Sequence, residues 1–268
     1  MTSAWRIAVG AGCLAACSPF VGMAADFCVN SDAELASVMD AITNAPGEAH
    51  RLMLAQGDYW IDFPYVASDG SLSIQGGYDP ACDHYVPGAQ RTVVHASPQQ
   101  PYQAYFLAQN GDLSISDITL DGYYAVTIRQ ETGANELKVS RAAIVLAGSF
   151  QNIELLRAGG PAVLENVLVD ASSDSCAIDT SRASLDFVTV VNRGTGRGFC
   201  SGSTSSIANS IVFSDGGNDI ESPAIVTVRY SIFEDYWATL DAASTENLSG
   251  PITFQSSVDH LLRDRPDD

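Results

Sequence analysis

The sequence predicts an all-β chain wound as a parallel β-solenoid of about nine to ten coils, closed at its N-terminal mouth by a short helix. Three observations predict it: a short apolar pattern recurs, its residues alternate within each copy, and every copy slips phase at the same place. The pattern reads LSISDITL (113–120), LKVSRAAI (137–144), AVLENVLV (162–169), ASLDFVTV (183–190), SSIANSIV (205–212) and VTVRYSIF (226–233). Its third position marks Ile115, Val139, Leu164, Leu185, Ile207 and Val228. Weaker copies place Leu54, Ile74 and Val94 upstream and Ile252 downstream, giving intervals of 20, 20, 21, 24, 25, 21, 22, 21 and 24 residues. Alternation puts side chains two apart on one face, which defines a strand. The slip lets two residues pass before the next apolar side chain points inward, so the chain bends there. Repeats of this length that bury a face only against their neighbours are solenoids.

A leucine-rich repeat has a similar period but carries a regular Asn. Here the bend position reads Asp117, Arg141, Asn166, Phe187, Asn209 and Tyr230, which is no such ladder. A β-sandwich would not hold one phase for so long. The segments between copies are rich in Gly, Ser, Asp and Asn, the residues that turns require.

The elements follow in chain order. Residues 1–25 read as an export signal, with Arg6 ahead of an apolar stretch and small residues at Gly22-Met23-Ala24-Ala25. Within them Leu14-Ala15-Ala16-Cys17 resembles a bacterial lipobox, which would make Cys17 an acylated first residue. The product is thus secreted or periplasmic, or else an outer-membrane lipoprotein. Residues 26–50 form the cap: Ser31-Asp32-Ala33-Glu34 is a capping box opening a helix to about Thr43. Leu35, Val38, Met39 and Ile42 are its apolar stripe. Residues 51–262 form the solenoid, whose open ends would otherwise recruit foreign strands. Residues 263–268 are a polar tail.

An apolar strand leading into Gly57-Asp58-Tyr59 directly after a short helix, together with Leu72-Ser73-Ile74-Gln75-Gly76-Gly77-Tyr78-Asp79 and the following Cys82, resembles exported bacterial proteins of the pectin-lyase-like superfamily. The resemblance covers residues 26 to about 258 and implies a right-handed parallel β-helix. It implies little about activity, because that group includes lyases, hydrolases, adhesins and inert scaffolds. Its polygalacturonase motifs do not occur in this chain.

Besides Cys13 and Cys17 in the leader, four cysteines remain, and four allow three pairings. No CxxC spacing suggests zinc. Cys176 lies 12 residues past its marker and Cys200 lies 15 past the next, so they occupy comparable loops on neighbouring coils. Cys28 beside the helix would then pair with Cys82.

Composition bounds the partners. Charged residues are 17% against about 25% in an average soluble protein, and 46% are apolar, so disorder is excluded. The net charge is −19, which repels phosphate backbones and anionic lipid, so no nucleic-acid partner is expected. No apolar run beyond the leader approaches the roughly 20 residues of a membrane span.

Stacked columns locate the candidate chemistry. The residue after each marker reads Ser116, Ser140, Glu165, Asp186, Ala208 and Arg229. Glu165 and Asp186 would stand about 5 Å apart on neighbouring coils. That suits the two carboxylates of a retaining glycosidase or a calcium ion, though two solvated acids look the same in sequence. Six residues past the marker, Asp121 and Asp170 stand two coils apart and read as turn residues. Of ten tyrosines, eight fall between Tyr59 and Tyr124. Tyr102, Tyr105, Tyr123 and Tyr124 would form a sugar-stacking platform. Leu168, Ile211 and Ile232 form an outward apolar stripe. Gly194-Thr195-Gly196-Arg197-Gly198 is glycine-rich but sits in a loop, and no cofactor or dedicated metal set is expected. The expectation is a non-catalytic exported scaffold that binds polysaccharide. The alternative is a lyase or glycoside hydrolase for an acidic polysaccharide, built on Glu165 and Asp186 with or without calcium.

Overall fold

The computed structural model describes residues 25–45, 47–61, 65–67, 70–88, 91–96, 106–122, 128–130, 135–146 and 156–249. The leader with Cys17, all four platform tyrosines, Ile252 and the polar tail lie outside these residues.

The described chain is a parallel β-solenoid of about eight coils, and every strand pairing between coils is parallel. Each coil has three faces, called here A, B and C in the order the chain meets them. On face A one inward row runs Phe27, Leu52, Ile74, Ile115, Val139, Leu164, Leu185, Ile207 and Val228, each the register partner of the next. Face B carries Tyr59, Val94, Leu120, Ile144, Val169, Val190 and Val212 in the same way. Face C carries Phe106, Ile128, Leu156, Ile178, Phe199 and Ile220. Three apolar rows meeting inside one narrow triangle make a continuous core, and from Leu52 to Val228 the face A row is at most 1% exposed. At about 4.8 Å per coil the rod is about 38 Å long.

The six strong markers hold, and two weak ones are corrected. Leu52, not Leu54, is the register partner of Ile74, and Ile74 pairs directly with Ile115 across a coil of 41 residues. Val94 lies on face B of that same coil, beside Leu120. Strict alternation looks alike on every face and survives a shift of two residues. The large second coil therefore reads as two in the sequence, and the expected nine or ten coils become about eight.

The bend between faces A and B is one repeated backbone event. Asp117, Arg141, Asn166, Phe187, Asn209 and Tyr230 all adopt left-handed backbone, with φ between 49° and 57°. Gly77 at φ 88° and Glu246 at φ 57° extend the set. One left-handed residue reverses the pleat, which is why the next side chain again faces inward. Beyond the bend, Ser210 and Ser231 accept backbone N–H groups of Val188 and Ser210 from the neighbouring coil, at 3.0 and 3.2 Å.

Helix α1 (Asp32–Thr43) starts at Ser31, whose hydroxyl accepts from the Glu34 N–H at 3.3 Å. Glu34 in turn accepts from the Asn30 N–H rather than that of Ser31, a small departure from the expected box. Leu35, Met39 and Ile42 are buried over the mouth of the rod. A strand absent from the expected layout, Ala25–Val29, precedes the helix and pairs with His50–Ala55. Five residues without turn signals offered no pattern to find it by.

Both expected disulfides are present. Cys28–Cys82 has a Cα–Cα distance of 5.8 Å and joins the first strand to a loop excursion of the second coil. Cys176–Cys200, at 5.9 Å, joins two adjacent coils on face C. Among the described residues no helix is long and apolar enough to cross a membrane.

Candidate functional site

Register places Glu165 beside Asp186 in the outward column of face A, with Ser140 before them and Ala208 and Arg229 after. Glu165 is exposed and Asp186 half-buried. The Asn209 amide donates to Asp186 Oδ1 at 2.8 Å, so one of the two acids is already engaged by a neighbour on the next coil. Among the described residues no group of three His, Cys, Asp or Glu side chains is arranged to hold a metal ion.

These acids border the A–B corner. There Phe187 and Tyr230 are 57% and 58% exposed, and Asn209 of the intervening coil lies between them. Two coils separate the rings by about 10 Å along the rod. A left-handed backbone costs an ordinary L-residue about 1–2 kcal/mol, and Asn or Asp bears it best. Asp117, Asn166 and Asn209 follow that preference, whereas Phe187 and Tyr230 do not. Neither residue belongs to the buried core, and more than half of each is exposed to solvent. Bulky aromatic residues in strained, exposed positions are better explained by what they contact than by folding. The bend read as an irregular ladder in the sequence; an aromatic residue at a position requiring positive φ was the signal available.

The same corner carries an ion pair further up the rod, a buried carboxylate with a half-exposed guanidinium. Asp117 is wholly buried and accepts from Arg141 Nε and Nη2 at 2.8 and 2.7 Å. Burial pushes its carboxyl up, but hydrogen bonds from Arg141 and Tyr85, the Arg141 charge and the Gly88 N–H outweigh it and hold the group below its ordinary value. Burial raises the Tyr85 hydroxyl, with Asp117 adding to the effect. This cluster docks the excursion of residues 79–88, which also bonds through the Val86 N–H to Gly77 O at 2.8 Å.

A cleft of about 580 Å³ opens where loops of adjacent coils stack between faces B and C. Asp174, Thr195, Arg197, Asp215, Glu234 and Asp235 line it together with Gly196, Gly216 and Gly217. Four carboxylates against one guanidinium, itself paired with Glu221, make it hostile to phosphate. Beneath these loops Asp219 is 1% exposed. It accepts backbone N–H groups of Ser214 at 2.6 Å and of Glu234 and Asp235 at 2.5 and 3.3 Å. Burial pushes its carboxyl up to about 6, against the lowering effect of those three bonds.

Asp170 and Asp121 are both engaged. Asp170 receives Arg193 Nε and Nη2 at 3.1 and 3.2 Å. Asp121 lies 3.1 Å from His95. In the expected outward stripe, Leu168 is buried while Ile211 and Ile232 are partly exposed.

No family model matches the chain, and neither a curated protein nor a solved structure matches it.

Proposed function

We propose that the chain is an exported β-helix scaffold of the bacterial cell envelope or extracellular space that holds a neutral polysaccharide along the A–B corner. The observation that carries this reading is the Phe187–Asn209–Tyr230 ridge, with Asp186 and Glu165 beside it. Aromatic rings stack on the apolar faces of pyranoses, while amide and carboxylate groups take their hydroxyls. Rings two coils apart suit successive sugars of one chain. The net charge of −19 opposes the approach of a polyanion, so the ligand class is neutral. Two disulfides fit an oxidising compartment. The leader and the likeness of residues 26–258 to pectin-lyase-like proteins support export and that superfamily.

Affinity electrophoresis through neutral and acidic polysaccharides tests the reading. Phe187→Ala with Tyr230→Ala should weaken retardation by a neutral glycan about tenfold, at about 0.5–1.5 kcal/mol per ring. Unchanged retardation overturns it. New reducing ends or unsaturated products, lost in Glu165→Gln and Asp186→Asn, would establish the hydrolase or lyase reading instead.

A further inference from the structure

The outward column of face B begins with three side chains from three successive coils. Trp60, His95 and Asp121 are register partners in turn, and Asp58 lies on the same face two residues before Trp60. His95 Nε2 lies 3.1 Å from Asp58 Oδ1, and its Nδ1 lies 3.1 Å from Asp121 Oδ2. Trp60 stacks on the imidazole, with ring centroids 4.6 Å apart and planes inclined by 21°. The Trp60 backbone N–H donates to Asp32 Oδ1 of helix α1 at 3.0 Å. One row therefore ties the cap helix to the first three coils.

We propose that this row is a proton-gated clasp, closed when His95 is an imidazolium and loosened when it is neutral. The argument is a count of donors. Ionised carboxylates only accept, and a neutral imidazole has one N–H and one lone pair. With a carboxylate oxygen at each nitrogen, a neutral ring satisfies one side and sets lone pair against lone pair on the other. The imidazolium donates to both, and its charge also strengthens the contact with the Trp60 face. The charged groups that face the row are Asp58 and Asp121, with Asp32 on the helix beyond Trp60. The two nitrogens diverge toward separate carboxylates, so the row does not converge on a metal ion. Histidine is the side chain whose charge ordinarily changes between about pH 5 and 8. Protonation of the ring should fasten the cap and hold Trp60 against it.

Tryptophan fluorescence and urea unfolding at about pH 8 and about pH 5.5 test the proposal on the full chain. In the wild type, emission should fall in acid as the imidazolium quenches Trp60, and the unfolding midpoint should rise relative to His95→Gln. Trp60→Phe should abolish the emission step alone. Asp58→Asn is the decisive variant, because an amide can donate to the ring's free lone pair. Asp58 is exposed, so the fold is safe. That variant should lose the emission step, and its unfolding midpoint at pH 8 should exceed that of the wild type. Identical pH profiles in the wild type, His95→Gln and Asp58→Asn overturn the clasp.

Discussion

At the residue scale the six left-handed corner positions from Asp117 to Tyr230 separate folding from function. Phe187→Asn and Tyr230→Asn should each raise stability by about 0.5–1 kcal/mol, because Asn tolerates the same backbone better. The same changes should each weaken glycan retention. Urea midpoints measured beside the retardation gels check both, and a loss of stability would remove the strain argument. Arg141→Ala has the opposite sign. It leaves the buried Asp117 carboxylate with Tyr85 and a backbone N–H only, and should cost about 2–3 kcal/mol. Because Asp117 is held below its ordinary value when folded, its contribution is present above about pH 4 and lost on further acidification. The acid limb of unfolding should therefore be shallower in the variant. These corners were legible as bends, since the phase slip is a sequence property. That Asp117 faces Arg141 was not, because it depends on which coils adjoin.

The element that needs most from its sequence is the stack of loops between faces B and C. Added to Gly196, a methyl group would lie 1.9 Å from the Ser175 carbonyl, whereas at Gly202 the nearest atom is 3.6 Å away. Gly196→Ala should destabilise by about 3 kcal/mol or more, and Gly202→Ala should be neutral or slightly stabilising. Calorimetry of the pair decides whether close loop contact sets the spacing. Asp219 titrates within this element. Raised to about 6 when folded against about 3.9 unfolded, it makes the native state bind the extra proton in that window. Its contribution to stability therefore grows as pH falls from about 6 to about 4. Asp219→Asn should flatten that segment of the stability profile, and an unaltered profile would show that the carboxyl titrates normally. Turn chemistry announced these loops in the sequence. The cleft they enclose was invisible, because it is made by stacking rather than by any motif.

For the whole molecule, the period of the last six copies was readable to the residue, and so were both disulfides. The second coil was not. Reading Val94 on face A puts His95 in the wrong column and hides its neighbours Trp60 and Asp121. A regular repeat announces itself, but one enlarged coil shifts every column upstream of it. Removing the Cys28–Cys82 bridge, which closes 54 residues, should cost about 4 kcal/mol, and removing Cys176–Cys200, which closes 24, about 3.5 kcal/mol. Thermal melts of Cys→Ser pairs check the order. The two crosslinks also divide the rod mechanically. One fastens the leading end and the other clamps two coils further along, while the coils of Ile115 and Val139 between them carry no disulfide and are held by ladder bonds, core contacts and the Asp117–Arg141 pair. Under tension each coil depends only on its neighbours. That interval is where the filament should yield first, paying out slack between two fixed knots.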